Sequence, residues 1–192
     1  MKKVRPVVMN HKVHVTGKVL GRGANGVVMQ NGNRAVKIIS GSSNREARVL
    51  RKLQRFSFVP RIHESAKRKT FTAYSMNMLK GARTYRVWSR TAPLAAKKKV
   101  VAKIRRDLTT LHRMKVLHGD LHYENILVDP KTLKVWIIDF GRARTMRTTE
   151  NKFYARYQPI KTKTHGNVYV IKGYPSQKNE YMFKKYFKIS RR

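Results

Sequence analysis

Two absences set the first limits on this chain. It has no cysteine, which excludes disulfides, thiolate metal sites and thiol catalysis and suits a reducing compartment. It has no apolar run long enough to span a bilayer, and residues 1–16 lack the apolar segment of a secretory signal. The sequence therefore predicts an intracellular protein, in the cytoplasm or the nucleus, without a membrane span.

Acidic residues are also scarce in this chain. Nine Asp and Glu stand against 45 Lys and Arg, which gives a formal net charge of +36. Self-repulsion at such a charge opposes a compact fold, although a hydrophobic content of 41% is enough for a core. One interpretation is a basic surface that only aids solubility. We favour the other interpretation, a polyanionic partner such as nucleic acid, an acidic protein or anionic lipid.

The spacing of apolar residues predicts mainly strands in the first part of the chain and helices later. The predicted elements are consecutive strands over 17–39, a helix over 45–56, a strand over 70–79, a helix over 95–114, paired strands at 126–128 and 134–138, a strand at 168–171 and a terminal helix at 181–189. Asn31-Gly32 predicts a tight hairpin turn, Asn44 is placed to cap the first helix, and Lys80-Gly81 predicts a hinge.

The loop after the long helix carries the most specific motif. It reads His118-Gly119-Asp120-Leu121-His122-Tyr123-Glu124-Asn125, and Asp139-Phe140-Gly141 begins fourteen residues after the Asn. Phosphoryl transfer from a metal–nucleotide needs an Asp that accepts or orients the proton of the attacking hydroxyl, and an Asn and a second Asp as hard oxygen ligands for Mg²⁺. Asp120, Asn125 and Asp139 fit these roles. A single Asp is usually a turn or helix cap, but the order and spacing of the set favour catalysis.

Two histidines in this loop raise the question of a metal site. His118 and His122 are four residues apart, but the glycine between them opposes a helix and no third ligand is evident. We interpret His118 as a structural hydrogen-bonding residue, and the sequence assigns no role to His122.

A glycine-rich turn lies upstream. Gly21, Gly23 and Gly26 form a G-x-G-x-x-G run, which lets backbone N–H groups approach phosphates. Such a run is often only a turn. Strands rather than a helix follow it, and this disfavours a dinucleotide site.

Lys37 lies near the end of the apolar strand that follows the glycine turn, where a charge needs a partner. Glu46 on the next helix is the candidate partner, with Glu64 as the alternative. In a phosphoryl-transfer site the Lys would contact the α- and β-phosphates while the Glu holds it in place. The other interpretation is a surface ion pair of little worth.

With these motifs in order, residues 17–145 resemble the protein kinase-like fold. The resemblance implies an α+β, bilobal architecture: a basic N-terminal arm at 1–16, a small β-rich N-lobe at 17–80 and a truncated helical C-lobe at 81–192. It implies ATP and Mg²⁺ as cofactors and a serine or threonine hydroxyl of a protein as the acceptor.

The same resemblance implies the remaining nucleotide contacts. Val28, Ala35 and Leu127 would sandwich the adenine, and residues 76–81 would form the hinge. Asp120, Lys37, Asn125 and Glu46 would be the catalytic set.

The match is best to small atypical branches of the superfamily. His118-Gly119-Asp120 replaces the usual His-Arg-Asp, as in the RIO kinases and the small kinase of the KEOPS complex. Without that Arg, an activation-loop phosphate has no usual docking point. Minimal kinases of large DNA viruses are similar in size and basicity, which adds a virion as a location, and a viral particle or an accessory protein that completes the short C-lobe as a partner.

Two alternatives use the same fold. The 118–127 segment also resembles aminoglycoside and choline phosphotransferases, which need a larger C-terminal lobe and bind cationic substrates. The other alternative is a non-catalytic basic module that binds nucleic acid or packs in a virion, with cations at 97–106 and 142–163 and with Tyr154, Tyr157 and Tyr169 for stacking on bases.

Overall fold

The computed structural model of the 192-residue chain describes residues 17–23 and 26–145 with their side chains, and residues 159–162 and 166–169 as backbone strands. The predicted basic arm at 1–16 and the predicted helix at 181–189 lie outside the described residues, as do Tyr154 and Tyr157. The chain divides into two units, unit 1 up to Lys80 and unit 2 from Gly81.

Unit 1 is built on an antiparallel sheet with the strand order β1-β2-β3-β5-β4. Its strands are β1 (Val19–Gly23), β2 (Gly26–Asn31), β3 (Arg34–Ser40), β4 (Ile62–Lys67) and β5 (Phe71–Asn77). The consecutive strands predicted over 17–39 and the strand predicted over 70–79 are confirmed. β4 was not predicted, because its sequence IHESAK is mostly polar and takes its strand conformation by pairing with β5.

The turn between β2 and β3 lies one residue later than predicted. Asn31 pairs with Arg34, so the two turn residues are Gly32 and Asn33. Gly32 has a φ of 55°, and both primed types of two-residue hairpin turn require a positive φ at the first central position. The hairpin prediction is confirmed, and the assignment of Asn31 to the turn pair is wrong.

The helix α1 (Arg45–Lys52) follows β3 and buries Glu46, Ala47 and Leu50. It is shorter than the predicted 45–56, because the next turns close with tighter hydrogen bonds. The N–H group of Gln54 bonds the carbonyl three residues before it, and so does that of Phe56, which is 3₁₀ rather than α geometry. At the other end, Asn44 occupies the N-cap position but makes no side-chain capping bond.

The sheet of unit 1 has two faces with different roles. Met29, Val36, Ala66 and Ala73 form a buried apolar cluster. Alternation along β3 places Ala35 and Lys37 on the opposite face from Val36. The strand that carries Ala35 and Lys37 is therefore held in place by the apolar cluster packed against its other face.

In the residues of unit 2 that the structure describes, there are two α-helices and several short strands. They are β6 (Arg83–Thr84), α2 (Tyr85–Thr91), α3 (Leu94–Arg113), β7 (Val116–Leu117), β8 (Ile126–Val128), β9 (Val135–Ile137), a 3₁₀ turn (Phe140–Arg142), β10 (Arg144–Thr145), β11 (Pro159–Thr162) and β12 (Gly166–Tyr169). The sheets have the orders β6-β8-β9, β10-β7 and β11-β12. A β-rich first unit and a helix-bearing second unit confirm the predicted α+β class.

The longest helix, α3, confirms the predicted amphipathic helix over 95–114. It buries Val100, Val101, Ile104 and Leu111, which recur at the spacing of one helical face. The predicted strand pair at 126–128 and 134–138 is also confirmed, since β8 and β9 pair antiparallel. None of the helices among the described residues is both long and apolar enough to cross a membrane.

Candidate active site

The three glycines of the G-x-G-x-x-G run lie on β1 and β2, which pair so that Gly23 faces Gly26. A Cβ atom added to Gly26 would lie 2.2 Å from the carbonyl oxygen of Ile38, so β3 approaches too closely for any other residue there. A Cβ atom on Gly21 or Gly23 would meet no described atom within 4 Å. Close packing against β3 therefore requires a glycine at position 26, whereas none of the described residues fills the space beside Gly21 and Gly23.

Lys37 on β3 and Glu46 on α1 form an ion pair. The Nζ atom of Lys37 lies 3.0 Å from Oε1 and 2.9 Å from Oε2 of Glu46. The Lys side chain is 16% exposed and the Glu side chain 4%, so this is a shielded pair and not a surface one. Glu64, the alternative partner, instead binds Arg34 on the exposed surface, with 2.9 Å between the charged atoms.

The predicted adenine-contacting residues belong to both units. Val28 pairs directly with Lys37 across β2 and β3, and Ala35 lies two residues before Lys37 on the same strand. These three side chains of unit 1 therefore lie on one face of the sheet. Leu127 lies on β8 of unit 2, where it pairs with Thr84 and Trp136.

His118 anchors the loop of unit 2 that contains Asp120. Its Nε2 atom lies 2.9 Å from the carbonyl oxygen of Ile138, and its ring centroid lies 4.7 Å from that of Phe140. Burial lowers the pKa of His118 from 6.5 to about 4, so the imidazole is neutral at pH 7. A proton on Nε2 lets that atom donate to Ile138, and Nδ1 then accepts from the Asp120 N–H at 3.3 Å. The prediction of a structural hydrogen-bonding role for His118 is confirmed.

Asn125 closes the same loop back on itself. Its Nδ2 atom donates to the backbone carbonyl of Asp120 at 2.9 Å and lies 3.0 Å from Nε2 of His122. The backbone carbonyl oxygen of Asn125 accepts a hydrogen bond from the Ile138 N–H at 2.9 Å, and Ile138 directly precedes Asp139. The loop is thus tied to the end of β9, and Asp120, Asn125 and Asp139 come together in unit 2.

The oxygen atoms of this group suit a magnesium ion. Both side-chain hydrogen bonds of Asn125 use its nitrogen, and its Oδ1 atom has no hydrogen bond to the described residues. Asp139 adopts a left-handed conformation with φ 63° and ψ 66°, which is uncommon outside glycine but tolerated by Asp. In the part of the chain that the structure describes, no group of three or more His, Cys, Asp or Glu forms a cation site. Two hard oxygen ligands completed by phosphates and water are a set that fits Mg²⁺.

Gly119 and Arg142 make the closest backbone approach in this region. Gly119 has a φ of 80°, and a Cβ atom added to it would lie 2.3 Å from the carbonyl oxygen of Arg142. The Nη1 atom of Arg142 lies 3.6 Å from Oδ1 of Asp120. The glycine that replaces the Arg of His-Arg-Asp is therefore required by the position of the 3₁₀ turn.

Two neighbours of the predicted residues were not identified from the sequence. His122 contacts Asn125, although it had no assigned role, and Arg142 pairs with Asp120. Arg142 follows Asp139-Phe140-Gly141 directly, and each Asp among so few acids must lie near some of the many cations. That scarcity predicts some cation near Asp120 but does not single out Arg142, and His122 carried no signal beyond its place in the loop.

The sequence of the chain is similar to those of known proteins. The family model of the protein kinase domain matches residues 14–169. Cyclin-dependent kinase B2-1 of Arabidopsis thaliana is 27% identical over 125 residues, which cover 60% of this chain and 40% of that protein. The probable serine/threonine-protein kinase 2 of Plasmodium falciparum (isolate K1 / Thailand) is 28% identical over 156 residues, which cover 72% of this chain and 30% of that protein. The chain spans less than half the length of these relatives. The more specific likeness to RIO, KEOPS-complex and viral kinases stays a prediction.

Proposed function

The chain belongs to the protein kinase family, and from that premise we propose that it transfers the γ-phosphoryl group of ATP to a serine or threonine hydroxyl of a protein. The observation that carries the proposal is the closed loop of unit 2. The Asn125 side chain donates a hydrogen bond to the backbone carbonyl of Asp120, and the Ile138 N–H donates one to the backbone carbonyl of Asn125. These bonds hold the residues Asp120, Asn125 and Asp139 in one loop region. Such positioning and charge neutralisation supply most of the catalysis in phosphoryl transfer.

Asp120 is the residue that we assign to the acceptor hydroxyl. The hydroxyl oxygen attacks the γ-phosphorus, the bond to the oxygen that bridges the β- and γ-phosphates breaks, and ADP leaves with the electron pair. The proton of the hydroxyl passes to the Asp120 carboxylate, which is 30% exposed and can therefore be reached by a substrate. His118 donates to Ile138 and accepts the Asp120 N–H, which fixes the backbone that carries this carboxylate.

Asn125 and Asp139 are the residues that we assign to Mg²⁺. A bound Mg²⁺ neutralises phosphate charge and orients the transferring group. The free Oδ1 atom of Asn125 is the group of this chain that would face the cation, and His122 and the Asp120 carbonyl hold the amide in that orientation.

Unit 1 supplies the remaining contacts in this proposal. Lys37, held by Glu46, would contact the α- and β-phosphates, and the open space at Gly21 and Gly23 would let backbone N–H groups approach a phosphate. Val28 and Ala35, with Leu127 of unit 2, are assigned to the adenine. We assign residues 17–80 to an N-lobe, 81–192 to a reduced C-lobe and 1–16 to a basic arm.

Transfer of label from γ-labelled ATP in the presence of Mg²⁺ tests this function. Wild type, Asp120→Asn and Asp129→Asn are offered casein, a basic protein, an aminoglycoside, choline and water. Asp129 is a matched control because it lies in the exposed turn before β9 and bonds Lys131 and Thr132. We expect wild type and Asp129→Asn to label protein, and Asp120→Asn to lose at least about 100-fold in rate. Label on a small molecule alone, or equal activity in Asp120→Asn, would contradict the proposal.

We also propose that the protein binds nucleic acid without sequence preference, in addition to its catalysis. The supporting observation is a cationic stripe on α1. Arg45, Arg48 and Lys52 are exposed at spacings of three and four, so they lie on one face of the helix. The acid of this helix, Glu46, is buried against Lys37. Within the described residues none of these three cations has an ion pair, so each is available to a phosphate.

The salt dependence of binding tests this second function. Wild type is compared with an Arg45→Gln, Arg48→Gln, Lys52→Gln variant. It is also compared with a Lys98→Gln, Lys99→Gln, Arg106→Gln variant, which removes the same charge from exposed cations of the 97–106 segment on α3, so that the two candidate surfaces are tested against each other. Affinity for a duplex should fall linearly with salt on logarithmic axes, and the α1 variant should lose about 2.7 from the slope, at roughly 0.9 per phosphate contact. Equal losses in both variants would reject the α1 stripe, and a flat dependence in wild type would reject nucleic-acid binding. The intracellular or virion location and the accessory or viral partner stay predictions of the sequence.

A further inference from the structure

Arg142 has a backbone that is fixed beside Asp120. Its carbonyl oxygen lies where a side chain on residue 119 would be, 2.3 Å from the position of a Cβ atom on Gly119. On its C-terminal side, β10 pairs with β7 through Arg144 and Leu117, and the Ala143 N–H bonds the Phe140 carbonyl at 2.9 Å. The position of Arg142 therefore follows from the loop that carries Asp120.

The side chain of Arg142 combines proximity with exposure. Its Nη1 atom lies 3.6 Å from Oδ1 of Asp120, yet the Arg side chain is 68% exposed. Asp120 is its only acidic partner among the described residues. A guanidinium has five N–H donors in a rigid fork, so one contact with Asp120 leaves most of the donors facing solvent beside the proposed base.

We propose that Arg142 is a specificity-determining residue that selects protein substrates with an acidic side chain next to the phosphoacceptor hydroxyl. The inference rests on the proposed function, because it takes Asp120 as the residue that the hydroxyl approaches. A hydroxyl that gives its proton to Asp120 must come within about 3 Å of the carboxylate. The neighbouring substrate residues then pass close to the guanidinium, which attracts an acidic side chain and repels a basic one.

This local selection differs from the general effect of the chain's charge. A net charge of +36 attracts any acidic protein, wherever its acids lie, and that attraction is strongly screened by salt. A contact with Arg142 favours only an acid beside the phosphoacceptor. Moving one Glu along a peptide changes the local contact while the peptide charge stays constant.

The experiment measures kcat/KM for four peptides that share one serine. One has Glu beside the serine, one has the same Glu six residues away, one has Gln beside the serine, and one has Lys there. The enzymes are wild type, Arg142→Gln, Arg142→Glu and Arg142→Lys. The control is Arg106→Gln, which removes an exposed charge from α3 and so matches the change in net charge.

For wild type we expect the peptide with adjacent Glu to exceed the one with distant Glu roughly fivefold, the scale of an exposed ion pair. Arg142→Gln should level the two peptides, Arg142→Glu should favour the adjacent Lys, and Arg142→Lys and Arg106→Gln should keep the wild-type preference. A structural defect would lower all four rates together and could not invert their order.

The outcomes separate the two proposals. Peptide phosphorylation with the same preference in wild type and Arg142→Gln would overturn the role of Arg142 and leave the kinase activity standing. Equal loss of activity on all peptides in Arg142→Gln and Arg142→Lys would also overturn it, since it would show a structural role. No transfer from ATP by wild type to any protein or peptide would overturn the proposed function, and this inference with it.

Discussion

The ammonium nitrogen of Lys37 lies 2.9 Å from Oε2 and 3.0 Å from Oε1 of Glu46, whose side chain is 4% exposed. Removal of one member of a shielded ion pair leaves the other charge in a place from which water is largely excluded. We therefore expect Lys37→Met to abolish phosphoryl transfer and also to lower the free energy of unfolding by about 3 kcal/mol. Urea unfolding and the transfer assay measure the two effects.

The double variant Lys37→Met, Glu46→Leu separates the two losses. It removes both charges from the interior, so most of the stability should return while transfer stays abolished. A double variant as unstable as Lys37→Met alone would show that the ion pair is not the source of the loss.

Gly119 and Gly41 form a matched pair of glycines with φ angles of 80° and 81°. A Cβ atom on Gly119 would meet the Arg142 carbonyl oxygen at 2.3 Å, whereas one on Gly41 would meet no atom of the described residues within 4 Å. Gly41→Ala should therefore cost only the strain of the left-handed backbone, about 1 kcal/mol. Gly119→Ala should cost clearly more, because it adds a clash with backbone. Thermal unfolding of both variants measures the difference, and equal melting temperatures would contradict it.

Local patterns in the sequence were sufficient for several parts of the fold and for the pairing of Lys37. The apolar residues of α3 recur on one helical face, and β8 and β9 are short apolar runs on either side of a turn. Glu46 could be identified as the partner of Lys37 because acidic residues are rare in this chain and Glu46 lies on the helix directly after β3. In these cases neighbours in the sequence determine the structure.

Other features depend on contacts between distant residues. β4 has a polar sequence and pairs with β5, and β7 and β10 are two-residue strands that no local pattern reveals. Because the pairing of β7 with β10 places Arg142 beside Asp120, that relationship was not predictable either. The one-residue shift of the hairpin turn has the same origin, since register is set across both strands.

His122 is predicted to control how tightly the loop of unit 2 holds a cation, because its Nε2 atom lies 3.0 Å from Nδ2 of Asn125. His122→Leu removes one of the two groups that orient the Asn125 amide. Loss of such a supporting contact typically weakens metal affinity by roughly tenfold or more. The increase in melting temperature with a non-hydrolysable ATP analogue, measured against Mg²⁺ concentration, reports this affinity without turnover. His63→Leu, which changes an exposed imidazole of β4, is the control, and an unchanged Mg²⁺ midpoint in His122→Leu would reject the role.

The buried His118 and the partly buried His112 predict how stability depends on pH. Burial lowers the pKa of His112 and of His118 from 6.5 to about 4. Between these values the unfolded chain binds more protons than the folded protein, so stability is fully present above about pH 6.5 and falls as the pH drops towards 4. Each group contributes on the order of 3 kcal/mol. Urea midpoints at pH 7.5, 6 and 5 should decrease in wild type and decrease less in His112→Leu; parallel curves would contradict the assignment.

Asp107 on α3 should act in the opposite direction. Burial raises its pKa from 3.8 to about 6, while Arg106 and Lys103 partly lower it. The folded protein therefore holds a proton on Asp107 between about pH 4 and 6 that the unfolded chain releases, so this group costs stability above pH 6 and its cost disappears as the pH falls. Asp107→Asn removes the charge and keeps the shape, so it should raise the melting temperature at pH 7.5 and give little gain at pH 4.5. Because the Asp107 cost offsets part of the histidine effect, the variant should also lose stability more steeply than wild type on acidification. A variant less stable than wild type at pH 7.5 would show that the Asp107 carboxylate is stabilised by its cationic neighbours more than it is penalised by burial.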